Sequence, residues 1–469
     1  MLKRLFMAMM FLVVISLMIF IWIGYKTGTQ SEGAFTVWMP TPVVFEEWSA
    51  ATPEKPDAPA FQGFFLDQQT QRKTWRLGGD KSEMYIEGAE NPKKMSLPHS
   101  QHFYSRTRPT NTTETHALGA VGKRSHYVAL WDLKKRQFVA WLPAGKNEQH
   151  YQQRHVLWDR NFENIYWFTQ GNQLLQATID FKSYETTIEI WDTFTDFNYI
   201  TFGYGEGNFS DDGRRLVLAG EAINKTAIYQ RYEVKKRKKY PIRLLHNGTS
   251  FTDWIGVDPT GEYIVYAQEN PQKTLQIPFL ASSDRPALEL LDDLKHSDFV
   301  IDKQGEPWFS YGNWQGLFAI RVKDGYRKRI WPSLVTDVTT LNCKEVLCET
   351  ASGHVSRVSG IPGMLLISRN IDGGLYFMNI DQPGVSAYAG NSFQGRAPQA
   401  SSKNNIELER LGVNEHGEVT EYLREPRGSS SQSGKYVFFT SDYQYYRNRG
   451  GYKPDQAGYA FLNMIEVKK

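Results

Sequence analysis

The sequence predicts an all-β fold, a β-propeller of seven blades with an eighth left open, behind one N-terminal transmembrane helix. Three observations predict it. A tight turn followed by an apolar strand recurs along the chain with the period of propeller repeats, about 40 to 50 residues. Helical periodicity is missing beyond the first 26 residues. The chain is also rich in aromatics, with 13 Trp, 25 Tyr and 27 Phe, side chains that fill twisted strand faces and line carbohydrate clefts.

The elements follow in chain order. Residues Phe6 to Tyr25 form an uncharged apolar run long enough to span a bilayer core at about 1.5 Å of rise per residue. No small-x-small cleavage pattern follows Tyr25, so the run reads as a signal anchor rather than a cleaved leader, and no Cys near its end suits a lipid anchor. Lys3 and Arg4 before it against Lys26 after it orient the short tail inward and the bulk outside the cytoplasm, in the periplasm of a Gram-negative cell. Residues 1–26 are then tail and anchor, 27–59 a Pro-rich tether, and 60–469 the propeller. Cys343 and Cys348 suit a local disulfide, a pair of metal thiolates or two buried thiols. The net charge of +3 is too small to imply a nucleic-acid partner.

The clearest repeats are Ser210-Asp-Asp-Gly213 before Arg215 to Gly220, Asp258-Pro-Thr-Gly261 before Tyr263 to Ala267, and Ser431-Gln-Ser-Gly434 before Tyr436 to Thr440. The polar and Gly residues set a turn, and the β-branched and aromatic run after it is a buried strand. Weaker copies start at Asp159, Asp302 and Ser359. A second and a third strand follow most copies, which is the four-stranded antiparallel blade pattern. The units fall at 100–146, 150–197, 199–247, 250–293, 296–334, 352–394 and 421–468. The β-rich stretch from Ala60 to Asn91 either closes the ring onto the last blade or belongs to an eighth, and Gly390 to Gly417 reads as a long loop. The basic run Lys235 to Lys239 reads as a solvated hairpin turn, with contact to anionic lipid or glycan as the other reading.

These repeats resemble the turn-plus-strand units of TolB-type and WD40-like β-propellers, a resemblance that covers most of residues 100–468 and implies the fold. Taken as a whole, the chain is similar in kind to the seven-bladed propeller lyases that cut oligogalacturonate or ulvan.

The channel mouth is where propellers gather ligands. The residues that begin successive blades are His102, His155, the Gly203-Tyr-Gly-Glu206 stretch, Asp253 with Trp254, His296 with Asp298, His354 with Arg357, and Arg424 with Glu425. Elimination from a uronate needs a base, an acid for the leaving oxygen and a cation on the carboxylate. His102, His155, Tyr204, Arg357 and Arg424 are the catalytic candidates, and Tyr104, Arg106, Glu206, Asp253 and Trp254 the ligand-binding ones. His296, His354 and Glu425 could hold a divalent metal, Zn or Mn. The expected activity is binding of an acidic polysaccharide with β-eliminating cleavage, and the alternative is a non-catalytic docking or assembly platform of the cell envelope. No Gly-x-Ser-x-Gly or His-Glu-x-x-His occurs, so neither a serine hydrolase nor a zinc protease of that type is indicated.

Overall fold

The computed structural model describes residues 59–67, 70–79, 83–87, 100–101, 106–121, 126–145, 156–245, 252–269, 272–282, 286, 288–291, 297–313, 316–331, 353–369, 374–383, 386–391, 427–441 and 461–467. The expected anchor, tether, Cys343 and Cys348, and the expected loop beyond Asn391 lie outside them. Among the described residues no helix is long and apolar enough to cross a membrane.

Seven antiparallel sheets form in sequence order. Blade 1 spans Ser100–Gln101 to Gln137–Pro143, blade 2 Leu157–Trp158 to Thr186–Thr193, and blade 3 Phe197–Phe202 to Arg243–Leu244. Blade 4 runs from Thr252–Val257 to Leu288–Leu291, blade 5 from Ser297–Ile301 to Arg327–Trp331, and blade 6 from Gly353–Arg357 to Ser386–Asn391. The seventh is composite. Ser429–Ser430, Tyr436–Ser441 and Phe461–Glu466 supply its inner strands, and Lys73–Arg76 and Phe64–Leu66 add the outer two. Thr74, Trp75 and Arg76 pair with Ile465, Met464 and Asn463, so the stretch after Ala60 closes the ring and there is no eighth blade among the described residues.

The period of two along each strand explains the packing. In blade 2, Val156 and Trp158 join the core shared with blade 1, whereas Leu157 between them joins the core shared with blade 3. In blade 3, Leu216 and Leu218 face blade 2 and Val217 and Ala219 face blade 4. Trp254 and Ile255 divide in the same way between blades 5 and 3. Both faces of a blade are therefore apolar, and the core is a set of wedges between neighbours rather than one central mass. Truncating a fully buried wedge residue such as Leu218 to Ala removes contacts worth about 2–5 kcal/mol.

The turn motif works through side-chain hydrogen bonds. Asp159 accepts the Trp167 indole N–H at 2.8 Å and Asp302 that of Trp308 at 2.7 Å, tying each turn to the next strand of its own blade. Gly213, Gly261, Gly305, Gly363 and Gly434 end their turns at φ between 68° and 83°, a left-handed conformation that costs glycine nothing. Trp131 of blade 1 donates to the Leu77 carbonyl at 2.8 Å and so fastens the closing segment to the ring.

Candidate functional site at the channel mouth

The first strand of each blade lines the channel and ends in the turn motif. Side chains from those ends and turns, contributed by blades 1 to 6, meet at one mouth.

Arg357 ends the first strand of blade 6. Its guanidinium reaches across the channel to blade 3, donating from Nη1 to Asp211 Oδ2 at 3.0 Å and from Nη2 to Asp211 Oδ1. Burial alone would raise the Asp211 carboxyl, but Arg357, with Arg160 and Arg108, holds it below the usual carboxylate range. Burial lowers Arg357, but Asp211, Asp298 and Asp258 together raise it above its usual value, so its charge is held firmly. Beneath it, Asp298 of blade 5 is 4% exposed and accepts the Arg357 backbone N–H at 2.8 Å and the Phe299 N–H at 2.7 Å. Burial outweighs the nearby Arg357 and Arg106 charges and pushes its carboxyl up to about 6.

Arg106 of blade 1 is held from several blades. Its guanidinium lies 3.6 Å over the Trp254 ring, donates to Ser297 Oγ and to the Ser297 carbonyl of blade 5, and faces Glu206 of blade 3 at 3.3 Å. The Asn208 side-chain amide donates to the Arg106 carbonyl at 2.6 Å. One side chain thus ties together blades 1, 3, 4 and 5. Glu206 gets there by an irregular insertion: Gly203, Tyr204 and Gly205 have φ of 52°, 62° and 96°. A Cβ on Gly203 would stand 1.7 Å from the Ile255 carbonyl oxygen, so only glycine allows this approach to blade 4.

Two further arginines are treated differently. Arg108 of blade 1 donates from Nη2 to Ser359 Oγ of blade 6 at 3.1 Å. Arg160, in the turn of blade 2, donates from Nη2 to Asn208 Oδ1 at 3.3 Å. The Nε of each is buried with no hydrogen-bond partner among the described residues. Burial, then the charge of Arg160, pushes the Arg108 guanidinium well below its usual value. Burial brings Arg160 down to about 10, with Asp211 only partly offsetting it. Arg108, Arg160 and Arg357 all lie near Asp211, which Arg357 holds bidentately, and Glu114, Asp159 and Asp298 are further carboxylates around them. Among the described residues the Nε atoms of Arg108 and Arg160 meet no acceptor, chemistry that suits an anion.

The expected site residues separate under this geometry. Arg357, Arg106, Glu206 and Trp254 meet at the mouth. Tyr204 does not: its ring packs in the core between blades 3 and 4, and its hydroxyl donates to the Gly220 carbonyl at 3.2 Å, with burial raising its pKa. A phenol so held is part of the wedge and not a proton donor to a ligand. Arg106 and Trp254 pack together and brace the channel. Asp253 lies at the register shift between Thr252 and Trp254 in the first strand of blade 4. His354 is 0% exposed within its strand. His102, Tyr104, His155, His296, Arg424 and Glu425 lie outside the described residues. Among the described residues no three His, Cys, Asp or Glu side chains gather as a metal-binding set.

Arg108, Arg160 and Asp211 went unseen in the sequence because they sit within or just before the turn motif, where polar residues read as turn chemistry.

No protein-family model matches the sequence, and no curated protein matches it. In structure the chain is similar to oligogalacturonate lyase from Vibrio parahaemolyticus, at a TM-score of 0.51 and 11% identity over 87% of this chain and 96% of that one. It is similar to the same degree to an oligogalacturonate lyase in complex with manganese, at a TM-score of 0.51 and 10% identity over 88% and 98%. The likeness spans nearly the whole of those proteins, and at this identity what is shared is the fold, a seven-bladed β-propeller.

Proposed function

We propose that the mouth formed by the first-strand ends binds an acidic polysaccharide, with Arg108 and Arg160 as the groups that receive its carboxylate. The observation that carries this is the pair of half-buried guanidinium groups, each with a buried Nε that has no partner among the described residues. Buried donors left unmatched cost stability, about 1–3 kcal/mol each, and a bound carboxylate would remove that cost. The fold neighbours support the ligand class, since their name gives oligogalacturonate as what they act on.

β-Elimination is the sharper form of the proposal. The cation on the substrate carboxylate would come from Arg108 and Arg160, with His102 or His155 as the base that takes the adjacent proton. A divalent ion held by His296, His354 and Glu425 would supply further charge to the same carboxylate. The domain would stand outside the cytoplasm, tethered through residues 6–25, whose uncharged apolar length supports that reading.

The test is to incubate the full chain, in neutral detergent, with uronate-containing and neutral polysaccharides and follow the ultraviolet absorbance of unsaturated product. Product from a uronate polymer, absent in Arg108→Gln, supports the enzyme. Binding by calorimetry without product reduces the proposal to a lectin-like mouth. Neither binding nor product would leave the docking platform of the envelope as the better account. Release of the protein from membranes by salt or carbonate alone would overturn the anchor.

A further inference from the structure

The mouth is continuous with a basic track that runs outward along one face of blade 3. Neighbouring strands in this blade are antiparallel, so the turn after its first strand and the turn after its third open on the same face. The contacts connect them in sequence. Asn161, next to Arg160, donates from Nδ2 to the Asp212 carbonyl at 3.3 Å. Arg214 pairs with the Asp212 carboxylate and its carbonyl accepts the Val234 N–H at 2.8 Å. Val234 opens a hairpin whose next five residues, Lys235, Lys236, Arg237, Lys238 and Lys239, are all basic and all exposed.

This hairpin is built, not merely solvated. Arg237 takes a φ of 49° and sets its guanidinium 4.2 Å from the centre of the Trp191 ring of blade 2. Lys238 lies 4.5 Å from the ring of Tyr240. Lys236 pairs with Glu233 at 2.8 Å and Lys239 with Asp192 at 2.7 Å. The aromatic rings fix the direction of charges that would otherwise sweep freely through water. From first strand to third is two ladder spacings, roughly 10 Å, more than one sugar unit in the mouth would cover.

We infer that the site takes an extended acidic chain: one acidic group seats at Arg108 and Arg160, and following units lie along Arg214 and the Lys235–Lys239 hairpin. This rests on the proposed reading of the mouth and adds to it that the ligand is a polymer, bound along blade 3. A monosaccharide or short fragment would reach the mouth alone and gain nothing from the hairpin.

The experiment measures affinity for a series of uronate oligosaccharides of increasing length, using the full chain in neutral detergent and the variant Lys235→Gln/Lys236→Gln/Lys238→Gln. The wild-type affinity should rise with length by about tenfold or more, as linked contacts add. The variant should bind short fragments as the wild type does, lose the rise, and show a shallower dependence on salt. Thermal unfolding of the variant should be unchanged, since the substituted groups are exposed. Affinity that still rises with length in the variant, or that is flat with length in the wild type, overturns the track while leaving the mouth in place. Loss by the variant of binding to vesicles of anionic lipid, with its length series intact, overturns it in favour of a membrane contact. Absence of binding at every length overturns both the track and the reading on which it rests.

Discussion

Arg106 and Arg108 stand two residues apart in the segment between the first and second strands of blade 1, and the protein treats them in opposite ways. Arg106 is 6% exposed and meets an aromatic face, a carboxylate and two acceptors on Ser297. Arg108 has one hydroxyl to donate to, and its Nε has no partner among the described residues. Selection for stability alone would satisfy both or replace the second by an apolar side chain. On the proposed reading the difference separates a brace from a receptor: Arg106 is tied to blades 3, 4 and 5, whereas Arg108 has the Ser359 hydroxyl and a buried Nε left for a ligand.

This contrast can be broken by substitution. Arg106→Leu should give the largest effect, about 3–5 kcal/mol of lost stability, because the ion pair with Glu206 and the hydrogen bonds to Ser297 are lost and the Trp254 face is uncovered. Urea unfolding reads it, and a loss under 1 kcal/mol would mean that Arg106 braces nothing. Arg108→Gln and Arg160→Gln should do the reverse, leaving the unfolding midpoint unchanged or higher while lowering the affinity for uronates about tenfold or more. If either variant unfolds as readily as Arg106→Leu, the distinction between brace and receptor is lost.

A smaller effect is expected in the pH dependence. Asp298 binds its proton more tightly in the folded state, at about 6, than an unfolded carboxyl does. Between about pH 4 and 6 the folded chain holds a proton that the unfolded chain has released, so this group makes stability fall as pH rises. Asp298→Asn should remove that slope, whatever its constant offset, and so gain on the wild type by on the order of 2 kcal/mol from pH 4 to pH 7. Asp211, held low by Arg357, acts in the opposite sense and in a separate window, its contribution being lost as pH falls below about 4. Parallel stability curves for Asp298→Asn and wild type would show that Asp298 is ionised throughout.

The blades were legible because each is announced locally. A turn such as Asp258 to Gly261 and the apolar run after it fix a hairpin from a dozen adjacent residues. Ring closure was only half legible, since pairing Trp75 with Met464 leaves no trace in either segment alone. The site was hardest to read. Arg357 meets Asp211 from 146 positions away, and neither residue type nor spacing marks the pair. The sequence draws the eye to histidines at blade starts, whereas the described mouth is made of arginines and aspartates at the strand ends. Tyr204 misled for a related reason: a polar aromatic in a glycine-rich stretch looks exposed, but its left-handed backbone turns it into the wedge between blades 3 and 4.

The composite seventh blade also sets an order of events for biosynthesis. Its third strand, Phe461–Glu466, is made after blades 1 to 6 and must pair with Lys73–Arg76, made before them. Blades 1 to 6 can assemble as an open arc while the chain is still emerging, each stacked on its predecessor, but the circle waits for Phe461–Glu466. Until then the edges of Lys73–Arg76 and Tyr436–Ser441 stand open and compete for other strands. A chain cut short just before Phe461 would keep nearly all its hydrophobic wedges and still never become a ring.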